Sequence, residues 1–205
     1  MKTLLILTGP QGSGNHLWSK VFSADDSVWG WKQLLTTYWI PHSAEPFAPA
    51  WDNPELLKDI EFGNYAVTSI SCPYARDGRA IEPHYVAFIN EAKRLGYHVK
   101  IAIIGRDQNV LQYQQTRVRG AVSYNRFEHH LPYLQSLSPV YLSTELLYLY
   151  RRDYVRSLSM QLQFPIHIED TVLDEILVKD PNAKYFQPAE TQELDHFVRH
   201  VSGIK

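Results

Sequence analysis

The chain has 205 residues, 44% of them apolar and 20% charged, and a net charge of −2. That length suits one α/β domain with a full core, read here as a single domain over residues 1–205. The near-neutral charge sets up no global field for nucleic acid or an anionic membrane, and the single cysteine, Cys72, excludes an intrachain disulfide and a cysteine-based zinc site.

The chain opens on an apolar run, Lys2 to Thr8, which predicts a buried strand. Only six mostly apolar residues separate Lys2 from Gly9, too few for a secretory signal, and no apolar run reaches the length of a membrane span. The expected setting is therefore cytoplasmic, with no membrane partner. Gly9-Pro-Gln-Gly-Ser-Gly14 follows, and Asn15 to Ser23 predicts a helix with Leu17, Trp18, Val21 and Phe22 on its apolar side. A strand, a glycine-rich loop and a helix in that order make an anion cradle: the glycines bring backbone N–H groups close, and the helix adds the positive end of its dipole.

Residues 24–64 read as a long connection punctuated by tryptophans and prolines, with short helices around Lys32–Trp39 and Pro54–Ile60. A connection of that length reads as a cover over one side of the site, or as a satellite core built on its tryptophans. Tyr65 to Cys72 predicts the next strand, Ala75 to Arg79 a turn, and Glu82 to Leu95 a helix ending at Gly96. Val99 to Ile104 is an uninterrupted apolar strand of the kind buried in a parallel sheet. Then come a helix over Asn109–Arg119, a mixed helical stretch over Tyr124–Leu137, a strand over Val140–Ser143 and a helix over Leu146–Gln161. A short extended segment at Ile166–Ile168, a Pro-Asn turn at 181–182 and a terminal helix over Thr191–Val201 complete the order. Alternating strands and helices predict an α/β three-layer sandwich with a mostly parallel central sheet. Ligands sit at the carboxyl ends of such strands, which groups Gly9–His16, Ser71–Asp77, Arg106–Asp107 and Thr144–Glu145 on one edge.

The spacing Gly9-x-x-x-x-Gly14 fits the glycine frame of a Walker A loop, but Asn15 stands in the place of its lysine and His16 in the place of its Ser/Thr. The β- and γ-phosphates thus lose their usual point charge and Mg²⁺ a usual ligand. Gly9, Gln11, Gly12, Ser13, Gly14, Asn15 and His16 are the expected phosphate-cradling residues, and a Cβ at Gly14 is expected either to strain the backbone or to crowd the anion. Arg106, leaving the end of a buried strand, forms with Arg117 and Arg119 an expected arginine clamp.

These stretches resemble the PAPS-dependent sulfotransferases, a P-loop fold without the Walker lysine. Ser13-Gly14-Asn15 stands where that family holds the 5′-phosphosulfate, Ile104-Gly105-Arg106-Asp107 resembles its 3′-phosphate strand end, and Val140 to Leu147 resembles a third family element. The resemblance runs from residue 4 to about Pro165 and implies binding of PAPS or PAP, with Gln114 near the place of a family serine. The chain departs from the family at Gly12, which replaces a basic residue, and at Ser69-Ile-Ser-Cys-Pro73, which lacks the family's histidine.

Sulfuryl transfer also needs a base for the acceptor hydroxyl. His16, His42 and Asp77 are the candidates, with His84 as a further one. Lys20 and Arg106 are placed to neutralise charge. The acceptor is expected to be a small molecule or a nucleotide, and a nucleic-acid acceptor stays open. Two alternatives stand beside this reading: a P-loop kinase using ATP with Mg²⁺ on a nucleoside, nucleotide or modified base, and a non-catalytic nucleotide-binding protein.

Overall fold

The computed structural model describes residues 1–37, 40–76, 78–167 and 171–178. Its centre is a five-stranded parallel sheet built from β1 (Thr3–Pro10), β2 (Val28–Trp29), β3 (Tyr65–Cys72), β6 (His98–Gly105) and β7 (Val140–Ser143), in the order β2-β3-β1-β6-β7. A separate hairpin, β4 (Tyr74–Arg76) and β5 (Arg79–Ile81), follows β3. The helices are α1 (Asn15–Ser23), α2 (Gln33–Thr36), α3 (Ala48–Asp52), α4 (Tyr85–Arg94), α5 (Gln108–Arg119), α6 (Tyr124–Glu128), α7 (Leu131–Gln135), α8 (Thr144–Leu162) and α9 (Thr171–Leu177), with 3₁₀ turns at His42–Ala44 and Pro54–Asp59.

The chain is α/β in three layers, and β1 shows why. Its side chains alternate between the two faces of the sheet. Leu4 and Ile6 enter a cluster with Phe47, Trp51, Phe88 and Ile89, while Leu5 and Leu7 enter another with Trp18, Phe22, Leu147 and Leu158. Both faces need an apolar side chain, which is why the strand reads as a continuous apolar run. The register runs from Thr3 opposite Tyr65 to Pro10 opposite Cys72, and from Thr3 opposite His98 to Thr8 opposite Ile103.

After β1 the chain moves through α1 to the β2 edge, whereas after β3 it crosses through α4 to β6 on the other side of β1. The connections diverge around β1, and such a switch point opens a crevice at the carboxyl ends of the strands. The glycine loop lies there because it follows β1 directly.

Several elements differ from expectation for local reasons. Ala75 to Arg79 is the tip of a hairpin, with Ala75 paired to Ala80. Helix α4 starts at Tyr85 instead of Glu82, since Pro83 disfavours helical backbone at the residue before it. The stretch 124–137 divides into two short helices, the second with a proline in its first turn. Helix α8 starts at Thr144 because the Ser143 hydroxyl accepts from the Leu146 N–H as an N-cap, and its backbone breaks at Arg151 (φ 44°, ψ −118°). Residues 164–167 form no strand, and Ile168 lies outside the described residues, as do the 181–182 turn and the 191–201 helix. The end of the helix expected over 32–39 also lies outside them, and α2 covers Gln33–Thr36. The 24–64 connection contributes core: Trp31 and Trp51 are buried, and the Trp51 ring stacks on Phe88 with centroids 3.8 Å apart. Among the described residues, no helix is long and apolar enough to cross a membrane.

Candidate functional site

The loop after β1 is tied down before any ligand arrives. Its own backbone closes first: the Gln11 N–H donates to the Cys72 carbonyl (3.3 Å) and the Ser13 N–H to the Pro10 carbonyl (3.1 Å). Gly12 (φ 89°) and Gly14 (φ 118°) take positive φ values that a side chain would strain. Three consecutive carbonyls are then held from other elements. Gln115 of α5 donates to the Gln11 oxygen (2.7 Å), Arg106 to the Gly12 oxygen (2.6 Å) and the Thr144 hydroxyl to the Ser13 oxygen (2.9 Å). With these partial negative charges engaged, and the Gln11 and Ser13 N–H groups in use, the loop is left with the N–H groups of Gly12 and Gly14. Gly14 then opens α1 without a side-chain cap, so the first-turn donors of the helix are not covered by one.

These residues border a cleft of about 730 Å³, within the usual range for a small-molecule site. Gln11, Gly12, Gly14, Asn15, His16 and Lys20 form the loop and helix wall. Arg106 and Gln114 form a second wall, where one Arg106 nitrogen donates to Gln114 Oε1 (2.6 Å) as well as to the loop. Pro41, His42 and Ser43 supply a third wall from the long connection, Ser71 and Thr144 come from the ends of β3 and β7, and Ala75 comes from the hairpin. The strand-end grouping read from the sequence is thus assembled around one space.

Some expected residues take other roles. Gly9 is not a cleft wall: a Cβ there would stand 2.6 Å from the Ile104 carbonyl oxygen, so this glycine permits the close approach of β1 to β6. Ser13 is fully buried and donates to Asn15 Oδ1 (3.1 Å). Asn15 borders the cleft, but its amide donates to Ser69 Oγ (3.3 Å), so the side chain at the Walker lysine position is committed toward the sheet. A Cβ on Gly14 would be strained at φ 118° and would meet Thr144 Oγ1, a loop brace, at 3.1 Å. Arg117 is exposed on α5 and is not a cleft wall, which leaves Arg106 as the clamp arginine among the described side chains. Asp77 and the side chain of Arg119 lie outside the described residues. His84 is exposed ahead of α4 and does not border the cleft. Glu145 anchors backbone: its Oε1 accepts from the Asp107 N–H (2.9 Å).

The two candidate histidines meet. The rings of His16 and His42 are 4.6 Å apart edge to face, and Trp31 lies 5.0 Å from the first and 5.5 Å from the second. His16 Nε2–H donates to the Ile40 carbonyl (2.7 Å). Burial lowers the His16 pKa, against a raising effect of that carbonyl and with a further lowering from Lys20 one turn along the helix. His16 is therefore neutral at pH 7, and Nδ1 is its acceptor nitrogen. Burial also lowers the Lys20 pKa.

Three features escaped the sequence reading. Helix α9 supplies Val172, Glu175 and Ile176 to the cleft. Its signal was the pairing of Val172 with Ile176 and of Leu173 with Leu177 at one-turn spacing. Gln115 is fully buried inside a polar stretch that reads as surface. Glu45, between Ala44 and Pro46, reads as an exposed loop carboxylate, yet it is 3% exposed, and burial pushes its pKa up to about 8.

Comparison with known proteins returns no match, either to a family model or to a curated protein. The functional reading therefore rests on this geometry.

Proposed function

We propose that the cleft binds a 3′,5′-bisphosphorylated adenosine and that the protein is a sulfotransferase-like transferase, moving a sulfuryl group from PAPS to a hydroxyl acceptor. The observation that supports this reading is the braced loop: three carbonyls are engaged, Gly12 and Gly14 border the cleft, and the side chain at the Walker lysine position is committed to Ser69. Such a cradle suits an anion held by backbone N–H groups. It lacks the lysine and the hydroxyl by which a Walker loop engages Mg·ATP. When bound, PAPS would supply an activated sulfuryl group on a phosphate leaving group.

The chain's own residues divide the remaining tasks. The loop amides and the first turn of α1 hold the donor's charged end. Arg106 and Lys20 border the same space and neutralise charge there. Arg106 does so while bracing the loop, so anion binding and loop order are linked through one guanidinium. His42, on the wall supplied by the long connection, is the base, with His16 and Trp31 packed against its ring. General-base assistance of this kind is worth on the order of 10²-fold in rate or more.

Calorimetric titration with PAP, ATP and ADP, each with and without Mg²⁺, tests the reading. PAP is expected to bind more tightly than ATP, with no response to Mg²⁺. Tight Mg·ATP binding with none for PAP would replace this reading with the kinase.

A further inference from the structure

Arg106 and the glycine loop do not meet alone, because a side chain of α5 joins them. We propose that the Gln114 carboxamide is a resident stand-in for an anion oxygen: it holds Arg106 at the loop until an anion displaces it, and so sets the affinity of the cleft. The displacement follows from the contacts at Arg106; that the displacing anion is PAP rests on the function proposed above.

Both hydrogens of one nitrogen are spent. Arg106 Nη1 donates to the Gly12 carbonyl and to Gln114 Oε1, each at 2.6 Å. An anion oxygen that uses this nitrogen must displace one of the two. The Gly12 oxygen belongs to a closed loop, whose flanking residues Gln11 and Ser13 are fixed through both their N–H groups and their carbonyls. Gln114 Oε1 sits at the end of a flexible side chain, so it is the side chain that yields.

The carboxamide also lies at the loop itself. A Cβ on Gly12 would stand 2.9 Å from Gln114 Oε1, 3.1 Å from its Cδ and 3.4 Å from its Nε2. The whole amide group therefore rests against Gly12, in room that only a glycine leaves there. Gly12, Arg106 and Gln114 all border the cleft. When the side chain swings away, space beside Gly12 and one Arg106 N–H become available together, and an anion oxygen needs both.

Charge decides the exchange. A carboxamide oxygen carries no net charge, so it holds the guanidinium less strongly than a phosphate oxygen does. Glutamine is strong enough to keep Arg106 on the loop and weak enough to give way to an anion. The backbone of α5 stays in place meanwhile, because the next residue, Gln115, is buried and donates to the Gln11 carbonyl (2.7 Å). A carboxylate at position 114 would form an ion pair with Arg106 and compete with the ligand as an equal. An alanine would not compete.

The test compares the unsubstituted protein with Gln114→Ala and Gln114→Glu, using PAP in calorimetry and inorganic phosphate in NMR titration. Gln114→Ala is expected to bind PAP about threefold to tenfold more tightly, the scale of one hydrogen bond that no longer has to break. Gln114→Glu is expected to bind about tenfold more weakly, since a charged hydrogen bond now has to break. In the unsubstituted ¹⁵N-labelled protein, the Gln114 side-chain amide resonances should move as either anion saturates the cleft. That spectrum carries the test by itself should Gln114→Ala fail to fold. Weaker binding by Gln114→Ala would make the carboxamide a ligand contact and overturn the displacement. Equal affinity in all three proteins, Gln114 resonances unmoved at saturation, or no binding of either anion would overturn it as well. The expected order of affinities with phosphate, in a protein that does not bind PAP, would uphold the displacement and remove the PAP reading instead.

Discussion

The glycine loop and the tryptophan-rich connection both border the cleft and are built on opposite plans. In the loop the side chains turn inward: Ser13 is fully buried, the Asn15 amide bonds to Ser69, and the backbone is what the cleft receives. In the connection the backbone is packed away on buried Trp31, Phe47 and Trp51, and the side chains of His42 and Ser43 are presented. A backbone cradle recognises charge and little else, whereas projecting side chains discriminate by shape and proton affinity. On the function proposed here, donor binding belongs to the first wall and acceptor handling to the second.

The largest effect should come from the connection. Trp51→Ala removes a fully buried ring stacked on Phe88, and we expect a loss of about 3–5 kcal/mol in urea unfolding. A loss under about 1 kcal/mol would mean that the connection is a detachable cover and not core.

Next is Arg106→Ala, for which we expect PAP affinity to fall by about 1.5–3 kcal/mol in calorimetry, the scale of a charged hydrogen bond. Because the same guanidinium donates to the Gly12 carbonyl, the loop amides should also exchange faster in the unliganded variant. Affinity lost without faster exchange would separate the clamp from the brace.

Gly14→Ala places a side chain at φ 118° and presses on Thr144 Oγ1. We expect about 1–3 kcal/mol of destabilisation together with weakened PAP binding. Normal binding in this variant would break the claim that the Thr144 brace matters to the cradle.

The smallest test is a pH dependence. Glu45 keeps its proton in the folded state to about pH 8, against an ordinary value of 4.5. Between those values the unfolded chain has released a proton that the folded chain still holds, so stability falls as pH rises across the window. Glu45→Gln should flatten that part of the stability–pH curve. An unchanged slope would move the effect to another group.

The fold was legible where both faces of a strand are buried. Tyr65–Cys72 was readable to the residue on that ground, the edge strand Val140–Ser143 was readable although Tyr141 is exposed, and α1 followed from its loop. The site was legible where it depends on strand ends, since Gly12, Ser71, Arg106 and Thr144 each follow or close a strand of the sheet. It was illegible where a polar residue is buried by distant chain. Nothing beside Gln115 announces the Gln11 carbonyl 104 positions away, and nothing beside Glu45 announces Ser69. Gly9 was misread for the same reason: the atom that a Cβ would meet there, the Ile104 carbonyl oxygen, arrives from another strand.

The central claim is that the backbone of a lysine-free loop holds the anion. Titration of ¹⁵N-labelled protein with PAP, followed amide by amide, tests it most directly. The account predicts that the Gly12, Gly14, Asn15, His16 and Leu17 amides move first and saturate together, with the same midpoint in Mg²⁺ and in EDTA. Saturable binding that leaves these amides in place, or no binding at all, would contradict it.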